Sequence, residues 1–300
     1  PFVEKMVAHI GSSHTFLECG NEKQIEMLFD SVKAHDLPAM ADVDASMLYF
    51  CSLVSTQYKV ALTGECADEI FGGYPWFHKR ECFQADTFPW TMDLSPRKEM
   101  LSQEFLEYLD MDSYVQESYQ RSVAETPRWE GDSPEEARRR EISYLNLKWF
   151  MQTLLNRMDR ASMYNGLEAR VPFADTRIVR YVWNVPWEMK TRNGVVKNLL
   201  RESGRGLLPE EVLFRRKSPY PKTYDPRYES LLKGMVRERI LSGHSPILQF
   251  VDPKKVEKFL SQPSDYGKPW YGQLMAGPQM LAYLLQIDAW MENYHVQVVS

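Results

Sequence analysis

The stretch Tyr58-Lys-Val-Ala-Leu-Thr-Gly-Glu-Cys-Ala-Asp-Glu-Ile-Phe-Gly-Gly-Tyr74 decides the fold. Residues 58–62 read as a buried strand that runs into a tight loop with three carboxylates, Glu65, Asp68 and Glu69, and then a Gly72-Gly73 pair. A strand with polar residues at its carboxyl end is half of a βαβ unit. Open parallel sheets bind their ligands just beyond that end. The expected class is therefore α/β. One strand makes no sheet, and few partner runs offer themselves, His14-Thr-Phe-Leu17 being one. The parallel sheet is expected to be thin and incomplete within this chain.

Outward from this strand the chain reads as helices. Residues 21–35 form an amphipathic pattern, and residues 44–56 a mostly apolar one capped by Asp44. Pro89, Pro96, Pro127 and Gly131 break the middle of the chain into short pieces. Ser133-Pro134-Glu135-Glu136 then combines an N-cap, a first-turn proline and a capping-box acid, so a long helix should follow. Leu147, Phe150, Met151, Leu154, Leu155 and Met158 keep helical spacing and read as core. A proline-rich strip occupies 218–226, and residues 277–293 are the strongest C-terminal helix. Residues 1–82 thus read as a partial α/β portion and residues 83–300 as a mainly helical one. Residues 1–10 already have helical periodicity, so the chain is expected to be a piece of something longer.

Composition narrows the function classes. The 300 residues carry 44% hydrophobic and 26% charged side chains with a net charge of -5, which gives no basic stripe for nucleic acid. No apolar run approaches the roughly 18 residues of a membrane span. The four cysteines show no C-x-x-C spacing and the histidines no H-x-x-x-H pair, which argues against a zinc site and a disulfide framework and fits a reducing cytoplasm.

The loop after the strand suggests the chemistry. Gly64 lets the backbone approach a ligand closely. Asp68 is a suitable oxygen ligand for Mg2+ held with substrate phosphates, and Glu65 is placed to act as a general base. The alternative for Asp68 and Glu69 is a plain helix-capping role. Lys197 follows the Asn193-Gly194 turn signal and reads as lying just inside a helix, facing a polyphosphate or simply solvent. Arg216 and Lys217 carry the same two readings. Asp159, Arg160, Glu168, Arg170 and Asp175 interleave with apolar residues, so some of them are expected to be buried and paired.

Three segments together resemble one family. Thr63-Gly-Glu-Cys-Ala-Asp-Glu-Ile-Phe-Gly-Gly-Tyr74 is similar to the [ST]-G-E-x-[AS]-D-E-x-F-G-G-Y motif of asparagine synthetases. Asp159-Arg160-Ala-Ser162-Met163 with Glu168-Ala-Arg170-Val-Pro-Phe173 and Asp175 resembles their D-R-x-S-M…E-x-R-x-P-F-x-D segment. Asn193-Gly194-Val-Val-Lys197 followed by Leu200-Arg201 resembles their G-x-x-K-x-x-L-R helix, and residues 37–46 look like the glutamine-dependent bacterial branch. The resemblance implies an adenine-nucleotide alpha-hydrolase-like (PP-loop ATP pyrophosphatase) sheet. It implies a reaction in which aspartate is adenylated by ATP with Mg2+ and ammonia attacks the β-aspartyl-adenylate to give asparagine.

Carried over residue by residue, Thr63 and Gly64 would contact the nucleotide and Asp68 would bind Mg2+. Lys197 would neutralise the departing pyrophosphate, and Glu65 would take the proton from ammonia. Asp159, Arg160 and Glu168 would position substrate, although Glu168 reads equally well as a partner of Arg160 or Arg170. The family's S-G-G-x-D-S phosphate loop and glutaminase domain, which supplies ammonia from glutamine, are expected upstream of Pro1. These residues alone are expected to bind ATP weakly and to make no asparagine, and a homodimer is expected. Two alternatives stand beside this reading. A β-lactam-forming relative uses the same adenylate but has tyrosine at the place of Glu65. A truncated, non-catalytic paralogue would serve as a scaffold.

Overall fold

Val60–Leu62 forms strand β1, and its partner is Glu168–Arg170, strand β2, more than a hundred residues later. The two run parallel, with Val60 opposite Glu168, Ala61 opposite Ala169 and Leu62 opposite Arg170. The ladder continues one bond past the strand, from the Thr63 amide to the Arg170 carbonyl at 2.9 Å. Because side chains alternate along a strand, Val60, Leu62, Glu168 and Arg170 share one face, while Ala61 joins Leu48, Ala161 and Leu167 on the other. That inner face rests on the helices Asp42–Val54 and Gln152–Tyr164. The outer face is open: Val60 is 41% and Leu62 75% exposed. The strand is thus shorter than read and not buried, since only its alanine meets the core. His14–Leu17 carries no strand.

The computed structural model describes residues 2–216, 225–262 and 276–297. Lys217 and most of the proline-rich strip at 218–226 lie outside the described residues. Around the two strands the described chain is helical. The helix Asn21–His35 appears as its periodicity requires, and the next helix runs Asp42–Val54. Its Asp44 lies in the first turn, fully buried, and accepts the Met40 amide.

Ser133 caps Pro134–Leu145 with the reciprocal bonds to Glu136 that the sequence announces. The helix passes through a wider turn at Asn146–Met151 into Gln152–Tyr164. Trp76, Trp90 and Phe150 meet in one aromatic cluster, with the Trp76 and Phe150 rings edge to face, centroids 5.0 Å apart at 67°. A second core surrounds Gly277–Tyr294, against Tyr228, Leu232 and Val256. No helix among the described residues is long and apolar enough to cross a membrane.

Candidate active site at the end of the two strands

β1 ends at Leu62 and hands the chain to the turn 63–66. The Thr63 hydroxyl accepts the Glu65 amide at 3.4 Å, a local bond that shapes the turn. Cys66 then adopts a left-handed backbone, φ 71°, and caps the short helix Ala67–Phe71. This places Glu65 on the turn and Asp68 on the first helical turn, both beyond the strand end. A Cβ at Gly64 would meet no atom within 4 Å, so no protein group needs the space beside it.

The two glycines of the motif have separate reasons. Gly72 has φ 70°, and a Cβ there would lie 2.8 Å from Trp187 Cζ3. A Cβ on Gly73 would lie 2.6 Å from Asp68 Cγ and overlap the carboxylate. Gly73 also donates its amide to the Asp68 carbonyl at 2.7 Å. The pair leaves room for one aromatic ring and for the Asp68 carboxylate.

Asp68 meets Lys197, whose ammonium lies 2.7 Å from Oδ1. The side chains are 25% and 22% exposed, so the pair can be reached by solvent. Lys197 stands just before the helix Asn198–Ser203, in a left-handed conformation with φ 57°, and not inside it as its spacing suggests. A non-glycine residue held there costs on the order of 1 kcal/mol. The preceding Asn193 and Gly194 are both left-handed, as the turn signal requires. Arg201 acts on the same carboxylate. Its own pKa is lowered, first by burial and then by Arg215, while Asp68 opposes the shift.

Glu65 meets a residue that pattern reading does not single out. Arg157 on Gln152–Tyr164 donates Nη2 to Glu65 Oε1 at 2.8 Å, with side chains only 11% and 17% exposed. Glu65 Oε2 and Arg157 Nε are buried without a hydrogen-bond partner. One carboxylate oxygen is therefore anchored and the other is an open acceptor. Glu69, 3% exposed, takes the Tyr74 hydroxyl at 2.5 Å, and its carbonyl receives Asn146. Burial first, then Glu69 and Glu65, pushes the Cys66 thiol up to about 12, so this central cysteine is an inert filler.

The charged segment behaves differently from its reading. Glu168 pairs with Arg170 at 2.8 Å, Arg160 with Asp36 at 3.0 Å, and Asp175 with Arg177 at 2.7 Å. Asp159, Arg160, Glu168 and Arg170 are exposed, and none of the five is buried. The carboxyl of Asp175 is held down at about 2 by Arg177 as it caps Thr176–Trp183. The expectation of buried pairs fails because these residues project from the outer face of β2 and from helix surfaces. The buried charges are others. Asp44 is fully buried, and burial raises its pKa against the pull of Arg157 and His35.

A cavity of about 770 Å3 adjoins Arg157. Asp44, His35 and Arg157 line it together with Met100, Phe105 and Tyr283, but Glu65, Asp68 and Lys197 do not.

The metal fit is partial. Among the described residues no three His, Cys, Asp or Glu side chains gather as a metal site. Asp68 alone offers a partly exposed carboxylate, which matches Mg2+ held by one or two carboxylates plus substrate phosphates.

The carboxylate–lysine pair and the separately anchored carboxylate stand beyond a parallel strand of an α/β chain, the class whose open sheets bind ligands at the strand ends. Within that class the chain belongs to the asparagine synthase family, whose model matches residues 1–292. It is 42% identical to asparagine synthetase [glutamine-hydrolyzing] 3 of Bacillus subtilis over 99% of this chain and 48% of that protein. Asparagine synthetase [glutamine-hydrolyzing] 1 of Bacillus subtilis is 28% identical over 61% of this chain and 34% of its own length. The asparagine synthetase of Homo sapiens is 27% identical over 72% and 30%. The chain spans about half the length of the first of these relatives and about a third of the other two.

Proposed function

We propose that this chain supplies the synthetase half of an asparagine-forming ligase. The observation that carries the reading is the division of labour at the strand end. Asp68 and Lys197 form one partly exposed pair, and Glu65 stands apart with one oxygen anchored and one free.

ATP would lie beyond β1, with Thr63 and Gly64 beside the nucleotide. Asp68, with phosphate oxygens, would hold Mg2+, which supplies charge neutralisation on the phosphates when bound. Lys197 would then turn from Asp68 to the pyrophosphate. The β-carboxylate of aspartate attacks the α-phosphorus, the P–O bond to pyrophosphate breaks, and an acyl-adenylate results. Ammonia attacks the acyl carbon, AMP leaves, and the open oxygen of Glu65 accepts the proton released.

Exposed Asp159, Arg160 and Glu168 are the assigned substrate-positioning groups. In the described structure Glu168 opens β2 and pairs with Arg170, and Arg160 pairs with Asp36, so in this reading they would have to release these partners to reach substrate. Residues 1–82 serve as the nucleotide-binding portion and 83–300 as the mainly helical one, on a PP-loop type sheet. The partner is a glutaminase that delivers ammonia from glutamine. A cytoplasmic setting is supported by four free cysteines. A homodimer is supported by the open face carrying Val60 and Leu62. The test is aspartate-dependent exchange of labelled pyrophosphate into ATP by the full-length protein. Exchange is expected, with Asp68→Asn lowering it at least a hundredfold. Exchange that is absent, or untouched by Asp68→Asn, removes the proposal.

A further inference from the structure

A second, smaller cavity of about 40 Å3 is lined by Arg139, Arg140, Ser143, Trp187, Lys190 and Glu136, none of which has a role in the proposed reaction. Lys190 closes the short helix Trp187–Lys190 and is 6% exposed. Its ammonium makes no hydrogen bond or ion pair with any described residue. The acids nearby are already committed. Asp132 takes Arg140 Nε at 2.5 Å, Glu135 takes Arg139 Nη2 at 2.8 Å, and Glu136 takes the amide and hydroxyl of Ser133.

The two guanidiniums are fixed in place by more than their acids. Arg139 donates to the Phe77 carbonyl and lies 4.5 Å over the Trp187 ring, and Arg140 donates to the Trp183 carbonyl. Neither can swing away from Lys190. Three cations therefore line one cavity against a single carboxylate, Glu136, that is tied to the helix cap. Burial, and then Arg140, pushes the Lys190 ammonium down to about 8. A buried charge without a partner is strongly unfavourable, and folded proteins pair such groups.

We infer that this cavity is a binding site for a small inorganic monoanion of chloride or bicarbonate size. Lys190 and Arg140 would supply the charge and the Ser143 hydroxyl a further donor. Size sets the class. A water needs roughly 10–15 Å3 of such space, so 40 Å3 takes one small ion and excludes a nucleotide. The ion would tie the helix Pro134–Leu145 to the segment 187–197. That segment carries Trp187 against Gly72 and ends at Lys197, so occupancy would steady both walls of the strand-end site.

The test is the unfolding equilibrium of the full-length protein at pH 7.5 and constant ionic strength, with sodium gluconate replaced stepwise by chloride or by bicarbonate. At an anion concentration tenfold above Kd the folded-to-unfolded ratio rises about 11-fold. Lys190→Met is expected to lose this response to both ions. A response to either ion that Lys190→Met abolishes supports the site and says which ion fills it. An equal response in wild type and Lys190→Met overturns it, as does identical wild-type stability in gluconate and in both ions. If Lys190→Met does not fold, the 35Cl resonance of a chloride solution serves instead. Added wild-type protein should broaden it, and bicarbonate should narrow it again. No broadening of the 35Cl resonance, together with no broadening of the 13C resonance of labelled bicarbonate, overturns the site.

Discussion

Arg157 offers the sharpest perturbation of the strand-end site. Its Nη2 lies 2.8 Å from Glu65 Oε1, with both side chains less than one-fifth exposed. At an effective dielectric of about 20, two charges at that distance attract by about 6 kcal/mol, from which desolvation of both ions subtracts several. Removing one partner of such a pair costs about 3 kcal/mol or more, because the other is left buried and uncompensated. Glu65 Oε2 and Arg157 Nε lack hydrogen-bond partners, and the buried Asp44 carboxylate also feels Arg157, so losing Arg157 leaves two buried acids less compensated.

Arg157→Met should therefore lower stability by about 3 kcal/mol, and Glu65→Gln by about 2. The double variant should lose far less than the sum, with a coupling of about 2 kcal/mol. Urea unfolding of the four proteins, read from midpoints at a common slope, measures this. Additivity within about 0.5 kcal/mol would refute the claim that Arg157 anchors Glu65.

Three further outcomes follow from the same structure. Gly73→Ala places a methyl against the Asp68 carboxylate, so it should break the Lys197 contact and lower pyrophosphate exchange at least tenfold. Unfolding should change by only about 1 kcal/mol, and wild-type exchange would contradict the assignment. Tyr74→Phe strips the buried Glu69 carboxylate of a hydroxyl and should cost about 1–2 kcal/mol in urea unfolding. In gluconate, Lys190 binds its proton less well folded, at about 8, than at its ordinary 10.5. The unfolded chain then holds more protons between those values, so stability should rise with pH by about 3 kcal/mol across that window. Lys190→Met should lack this rise, and an identical pH profile in the two proteins would contradict it.

The sequence makes the site more legible than the sheet. The period of residues 21–35, the Ser133 capping box and the Asn193-Gly194 turn are local signals, and each appears where its chemistry places it. Glu65 and Asp68 sit on one turn and helix start because the motif spacing sets them there, whereas Lys197 reaches Asp68 from a separate segment, through a left-handed backbone that spacing does not report. β2 was hidden because Glu168-Ala-Arg170 has no apolar alternation, and only its pairing with β1 makes it a strand. Arg157 was hidden for a similar reason. Its partner is 92 residues away in the chain, so neither periodicity nor composition links the two. The expected burial of some of Asp159, Arg160, Glu168, Arg170 and Asp175 misread surface residues as core, and Arg160, Glu168, Arg170 and Asp175 form ion pairs outside the core.

The most direct test separates the two chemical steps in one variant. In Glu65→Gln of the full-length protein, aspartate-dependent pyrophosphate exchange should persist within about threefold of wild type. Asparagine formation from ammonia should fall at least a hundredfold, the scale of a lost general base. Asparagine made by Glu65→Gln at the wild-type rate would contradict the account.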